Sequence, residues 1–239
     1  MIKLAVSGCQ GRMGQGIVRL ALKDKAFSLS ALLELKDHPH VGKSAHKLTI
    51  SADNAALKGC DVLIEFTTPS ATIENLQACL DNSIKMVIGT TGLQPEQIEK
   101  IKSAAEHIPI VFASNMSVGV NILFKLTQIT AEKTGTSYTI NISEAHHVHK
   151  KDAPSGTAKS LAQIAEKASG TKVENIESIR EGEIIGDHTV VFESGEDVIT
   201  VSHHAKNRDI FAKGALAAAK FLDGKSKGLF NMQDVLGLK

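Results

Sequence analysis

The sequence predicts an α/β fold, a parallel sheet with helices on both faces, joined to a second α+β domain with a mixed or antiparallel sheet. Three observations carry this. Apolar runs alternate with helical periodicities up to about residue 113, the pattern changes after Asn115, and two strand-like runs lie close together between 188 and 204. The 239 residues are 42% hydrophobic and 22% charged, enough apolar content and length for two modest domains. The 27 basic and 26 acidic side chains leave a net charge of +1, so no broad attraction to nucleic acid or anionic lipid is expected. Aromatic residues at 4%, with no Trp, remove the stacking surfaces that single-strand binders use. Cys9, Cys60 and Cys79 are widely spaced and form no CxxC, which predicts a cytoplasmic protein, and no run nears the roughly 18 apolar residues of a membrane span.

The elements follow in order. Ile2 to Val6 is a short apolar run ending near Gly8, and Met13, Ile17, Leu20 and Ala21 recur at helical spacing: strand, tight turn, helix. Phe27, Leu29, Ala31 and Leu33 alternate as a second strand ending at Glu34. Val62 to Phe66 reads as a buried strand, Thr68-Pro69-Ser70 as a helix start, and Ile73, Leu76 and Leu80 as one helical face. Met86 to Ile88 and Ile110 to Ala113 are further buried strands, separated by a helix from about Pro95 to Ala105. After Asn115 come a helix from about Gly119 to Lys133, a strand from Tyr138 to Glu144, and a polar segment rich in His and Lys. The runs 188–194 and 198–204 flank Gly195-Glu196 too closely to be anything but antiparallel. The last helix, about Asp209 to Phe221, is so apolar that it must return to cover the first sheet. The domains are expected at 1–117, completed by 208–239, and at 118–207.

Several constellations can carry chemistry. Gly8-Cys9-Gln10-Gly11-Arg12-Met13-Gly14 joins strand to helix, where backbone N–H groups and the positive helix end can hold a pyrophosphate. Its GxxGxxG spacing also suits a plain tight turn. Glu34, twenty residues beyond Gly14 at the end of the second strand, can accept hydrogen bonds from a ribose diol, and the pair favours a Rossmann-like dinucleotide-binding domain. Gly89-Thr90-Thr91-Gly92 and Ala113-Ser114-Asn115-Met116 each follow a buried strand, so a parallel sheet brings both to the edge of the glycine loop; ordinary turn chemistry uses the same residues. The stretch 144–158, EAHHVHKKDAPSGTA, is the most informative. Three His in four residues invite a metal, but Lys150 and Lys151 follow where a zinc site would gather thiolates or carboxylates. The composition suits an anionic substrate instead: His and Lys supply donors and charge, a lysine ammonium can give a proton, and Pro154 to Thr157 open a helix whose N–H groups face an anion.

This stretch closely resembles the signature of the 4-hydroxy-tetrahydrodipicolinate (dihydrodipicolinate) reductase family, and the resemblance extends along the chain through GCQGRMG at 8–14, EFTTPSAT at 65–72, VIGTTG at 87–92, ASNMSVGVN at 113–121 and GLFNMQDVL at 228–236. It implies hydride transfer from NADH or NADPH to a cyclic unsaturated dicarboxylate, with loss of water, in the diaminopimelate route to lysine. It implies that His146 is the catalytic proton donor/acceptor and Lys150 the proton donor to the ring. His147, Gly156 and Thr157 would bind substrate, and Gly8, Cys9, Gln10, Gly11, Arg12, Met13, Glu34, Gly89, Thr90, Thr91, Ala113, Ser114, Asn115 and Met116 the cofactor. No metal is implied; a homotetramer joined through the second domains is. Bringing two domains together around the reaction suggests hinges near Asn115 to Gly119 and near Arg208.

Two departures bear on the cofactor. Many members carry arginine directly after the ribose-binding acid, facing the 2′-phosphate of NADPH, where this chain has Leu35; many also have arginine where it has Thr68. With Glu34 there to repel a phosphate, a preference for NADH is expected, although Lys36 or Arg12 could restore tolerance of NADPH. The segment from Glu34 to Asp61 also looks shortened. Two other functions compete: a non-catalytic nicotinamide-binding sensor, which would not need His146 and Lys150, and a metal-dependent lyase, which would carry stoichiometric zinc.

Overall fold

The computed structural model describes residues 1–238. Its chain forms two compact units, Met1–Ser117 with Phe211–Gly237, and Val118–Ile210.

In the first unit, β1 (Ile2–Ser7), α1 (Arg12–Ala21) and β2 (Phe27–Leu33) form a parallel β-α-β unit. Between β2 and the next parallel strand the chain makes a small antiparallel arm, β3 (Ser44–Ala45) and β4 (Leu48–Ser51), and a 3-10 turn at Asn54–Leu57. No hydrophobic alternation marked this arm, because only Ile50 of β4 is buried. Then follow β5 (Val62–Glu65), α2 (Pro69–Asp81), β6 (Lys85–Ile88), α3 (Pro95–Ala104) and β7 (Pro109–Phe112).

The second unit opens with α4 (Val118–Thr134). It continues through β8 (Thr139–His146), α5 (Gly156–Ser169), β9 (Asn175–Arg180), β10 (Asp187–Glu193) and β11 (Val198–His204). The chain then returns to the first unit with α6 (Asp209–Phe221), β12 (Gly228–Phe230) and the short α7 (Met232–Val235).

The first sheet runs β12-β7-β6-β5-β1-β2-β4-β3, parallel throughout except for the β3–β4 edge. Its central strands are buried on both faces, which is why they read as unbroken apolar runs. Leu4, Val6, Ile64 and Val87 pack beneath Ile17, Val18, Ala212, Ala215, Leu216 and Ala219, so α1 and α6 cover one face. Ala5, Leu63, Met86 and Ile110 pack beneath Leu76, Cys79, Ile101 and Ala104, so α2 and α3 cover the other. In α6, Gly214 has to be glycine: a Cβ there would lie 1.7 Å from the carbonyl oxygen of Met116, so the helix rests directly on the backbone that ends the fourth strand-end loop.

The second sheet runs β11-β10-β8-β9, antiparallel except that β9 lies parallel to β8. Ile140, Ile142, Val190 and Phe192 face Leu123, Ala131, Leu161 and Ala165 of α4 and α5. The sequence pattern predicts a strand ending at Glu144 and gives no sign of β9. The strand in fact carries two residues further, and β9 stayed hidden because every second residue of NIESIR is exposed and half of its side chains are charged or amide.

Candidate functional site

In the first unit, a candidate site lies along one edge of the parallel sheet. Gly8, Glu34, Phe66 to Thr68, Gly89 to Gly92 and Ala113 to Met116 each follow the C-terminal end of a strand, and strands that run the same way end on the same edge. Steric fit dictates the glycines. Gly8 has φ +70°, and a Cβ on it would lie 2.4 Å from the Phe66 carbonyl oxygen. A Cβ on Gly14 would lie 2.0 Å from the Gly8 carbonyl oxygen, so α1 can pack on its own entry loop only without a side chain there. Gly11 caps α1 and offers the first turn no side-chain acceptor, a cradle suited to an external anion.

Hydrogen bonds lace the loop. Glu34 accepts from the backbone N–H of Gln10 at 2.9 Å and of Leu35 at 3.1 Å, which places its carboxylate beside the glycine turn. His40 shares a 2.7 Å hydrogen bond with Gln10 Oε1 from the far side. Gly89 is pressed by the Phe66 ring, 2.2 Å from where its Cβ would stand. The N–H of Thr67 donates to Thr90 Oγ1 at 3.0 Å, and the Thr67 hydroxyl donates to Glu65, a fully buried carboxyl that also accepts from Asn75 at 2.7 Å. Burial pushes the Glu65 carboxyl above the usual range against these donors. Thr68 caps α2, accepting from Ala71 N–H, which gives this position a helix-start role in place of a cationic one. Gln10, Gly11, Arg12, Met13, Thr91, Ser114 and Asn115 keep solvent access, whereas the side chains of Cys9 and Met116 are buried and offer a ligand only main chain. Burial raises the Cys9 thiol, so it stays protonated.

In the second unit, a separate candidate cluster is built on the end of β8. A strand's period of two sets Glu144 and His146 on one face, the face covered by α5. Glu144 is buried and accepts four hydrogen bonds: Arg180 Nη1 at 3.0 Å and Nη2 at 2.8 Å, Ser155 N–H at 3.1 Å, and the His146 Nδ1 contact at 2.5 Å. Burial alone would raise its carboxyl, but Arg180, His146 and the Ser155 N–H outweigh it and pull the pKa down to about 2. Arg180 also donates to the Asp152 carbonyl at 2.5 Å, tying the 147–155 loop to the sheet. Burial holds His146 below its ordinary value against the pull of Glu144. His188 packs edge-on against it, ring centres 5.2 Å apart, with Nε2 3.3 Å from Ser155 Oγ.

Lys150 is mostly buried and pairs with Asp152 at 2.7 Å. His147 is held by its backbone N–H on the Ile184 carbonyl at 2.7 Å, and its buried Nδ1 has no partner among the described residues. Gly156 and Thr157 form the first turn of α5, capped by Ser155 Oγ accepting from Ala158 N–H at 3.2 Å. Glu144, Arg180 and His188 were missed as site residues. Glu144 stood inside the quoted signature and only its period-two relation to His146 could have flagged it; Arg180 comes from 36 residues away and had no local signal.

Comparison with known proteins identifies the family. Residues 2–116 match the family model described as dihydrodipicolinate reductase, N-terminus, and residues 119–236 the one described as dihydrodipicolinate reductase, C-terminus. The 4-hydroxy-tetrahydrodipicolinate reductase of Nitrosomonas eutropha is 42% identical over 266 aligned positions, covering 100% of this chain and 99% of its own. That of Geotalea daltonii is 42% identical over 267, covering 100% of both. In fold, the chain is similar to the dipicolinate-bound dihydrodipicolinate reductase of Paenisporosarcina sp. TG-14, with a TM-score of 0.81, 24% identity and 98% of each chain covered. It is also similar, at TM-score 0.65 and 12% identity, to a probable dehydrogenase from Thermotoga maritima, covering 99% of this chain and 93% of that one. With a family model on each half and relatives 42% identical along its whole length, the chain belongs to the 4-hydroxy-tetrahydrodipicolinate reductase family.

Proposed function

We propose a residue-level assignment for the family's reaction, the NAD(P)H-dependent reduction of 4-hydroxy-tetrahydrodipicolinate to tetrahydrodipicolinate with loss of water in lysine biosynthesis. The observation that carries it is the His146–Lys150 segment, anchored on a buried Glu144–Arg180 pair and set beside the N-terminal turn of α5. The glycine cradle at Gly8 to Gly14 fits a pyrophosphate, and Glu34 fits a ribose diol. Gly89 to Thr91 and Ala113 to Met116 complete that edge. When bound, the nicotinamide supplies the hydride.

The protein's own residues do the rest. Lys150 gives the ring its proton as hydride arrives; its ammonium pairs with Asp152, and a substrate carboxylate would compete for it. His147 and the N–H groups of Gly156 and Thr157 hold a substrate carboxylate, helped by the helix dipole. His146 takes up or returns a proton beside them. Leu35, half exposed, stands where a cation would serve a 2′-phosphate, and the carboxylate of Glu34 lies next to it; this supports a preference for NADH. The face of the second sheet away from α4 and α5 is uncovered and carries Thr189, Val191, Val198, Thr200 and Ser202, which supports assembly as a homotetramer through this domain. Three unpaired cysteines, all buried, support a reducing cytoplasm.

The test is loss of reduced-nicotinamide absorbance, with substrate generated by the preceding synthase from pyruvate and aspartate semialdehyde. Turnover that depends on the synthase, faster with NADH, is expected. Lys150→Ala should keep NADH binding and lose at least about 10²-fold in kcat. Tight NADH binding with no turnover in the unaltered protein would favour a sensor.

A further inference from the structure

We propose that Glu144, clamped by Arg180, is a positioning residue that fixes His146 with its proton on Nδ1 and leaves the lone pair on Nε2 for the reaction. This rests on the assignment of His146 to that reaction. The argument is one of donors and acceptors. Both oxygens of Glu144 are saturated: Oε1 by Arg180 Nη2 and Ser155 N–H, Oε2 by Arg180 Nη1 and the imidazole. A carboxyl drawn down to about 2 is ionised at any working pH and has no proton to give. The 2.5 Å contact must therefore carry the proton of Nδ1 toward Glu144. The side chain of Glu144 is fully buried, so water does not compete for that hydrogen bond.

The ring's other nitrogen lies beside a glycine. Nε2 faces Gly186, in the turn between β9 and β10, where a Cβ would stand 3.0 Å away and crowd it, so the missing side chain spares the atom that contact. The charged and titratable groups around the ring are Glu144 on its own strand, Arg180 on β9, His188 on β10 and Lys150 on the following loop. Two of these are cations that oppose a second positive charge, and with burial they keep the ring neutral near pH 7. In the resting protein Nε2 is thus an acceptor and a base, and it donates only after taking up a proton. The proton given at the hydride step then comes from Lys150, which divides the labour between the two residues.

Arg180 has a separate part. One guanidinium neutralises Glu144 and holds the Asp152 carbonyl, so the loop bearing Lys150 and the strand bearing His146 share one anchor. Both proton-handling side chains keep their relation through it.

The experiment is side-chain ¹⁵N NMR of the full-length, histidine-labelled, ligand-free protein near pH 7, with His146 assigned by its loss in His146→Gln. The expected spectrum shows His146 with a protonated Nδ1 and an unprotonated Nε2. In Glu144→Gln, whose amide no longer demands the Nδ1 proton, the ring should shift to mixed or Nε2–H tautomers and kcat should fall at least about 10²-fold, with NADH affinity unchanged. An Nε2–H or doubly protonated His146 in the unaltered protein would overturn the positioning role, and this reading stands even where Glu144→Gln fails to fold. Unchanged kcat in folded Glu144→Gln would overturn it as well. Full turnover in His146→Gln would instead overturn the assignment of His146 itself and the positioning role with it, so the two failures are distinguishable.

Discussion

Replacing His188 with Gln should remove a defined part of an acid sensitivity that the second unit carries. His188 is 3% exposed on β10, packed against the His146 ring, and its Nδ1 has no partner among the described residues. Burial first, then the neighbouring His146 and His203, push its pKa down to about 4 against the attraction of Glu144 and Asp187. In the unfolded chain the ring titrates near 6.5. Between these values the unfolded state holds a proton that the native state refuses, so stability falls as pH drops from 6.5 toward 4. At about 1.4 kcal/mol per pH unit, the loss from this one ring between pH 7 and pH 4 is about 3 kcal/mol. The chain has one Tyr and no Trp, so fluorescence of Tyr138, whose hydroxyl donates to Asp197 at 2.6 Å, reports the second unit alone. Urea unfolding followed this way at fixed protein concentration, from pH 7 down to pH 4, gives the stability at each step. His146 and His203 are also held below their ordinary values and act in both proteins, so the difference between them reports His188 together with its coupling to these two rings. Identical pH slopes in the two proteins would refute the reasoning, because His188 would then be taking its proton in the native state at no cost.

Two further perturbations test the nucleotide edge. Gly14→Ala puts a Cβ 2.0 Å from one backbone atom and 2.7 Å from two more, with no flexible side chain to yield; calorimetric titration should show NADH affinity at least about 10-fold weaker, and thermal unfolding a loss of about 1–3 kcal/mol. Leu35→Arg places a guanidinium next to Glu34 on an exposed site and should raise kcat/KM for NADPH relative to NADH by about 10-fold, one charge-assisted hydrogen bond's worth.

What the sequence determined by itself is local. β1, β5, β6 and β7 are legible because a parallel strand buried on both faces is apolar along most of its length, with polar residues only near its ends. The glycines at 8 and 14 are legible because a strand that turns into a helix so tightly has no room for side chains, and the 144–158 stretch because its chemistry is contiguous. The apolar surface of α6 announced that something must cover it, though which backbone it would touch, the Met116 carbonyl under Gly214, could not be read. Tertiary structure decided everything that depends on partners distant in the chain. β12 joins the sheet beside β7 although its three residues carry no periodicity. Glu65 becomes a buried carboxyl because β5 is flanked by β1 and β6, and Asn75 of α2 then donates to it. Arg180 arrives from a strand whose alternation is masked by exposure, and with it the charge of Glu144, the proton on His146 and the anchoring of the Lys150 loop are set together. Residue identity supplies the groups, but ionisation and proton placement answer to burial and to hydrogen-bond partners, and those exist only once the strands have paired.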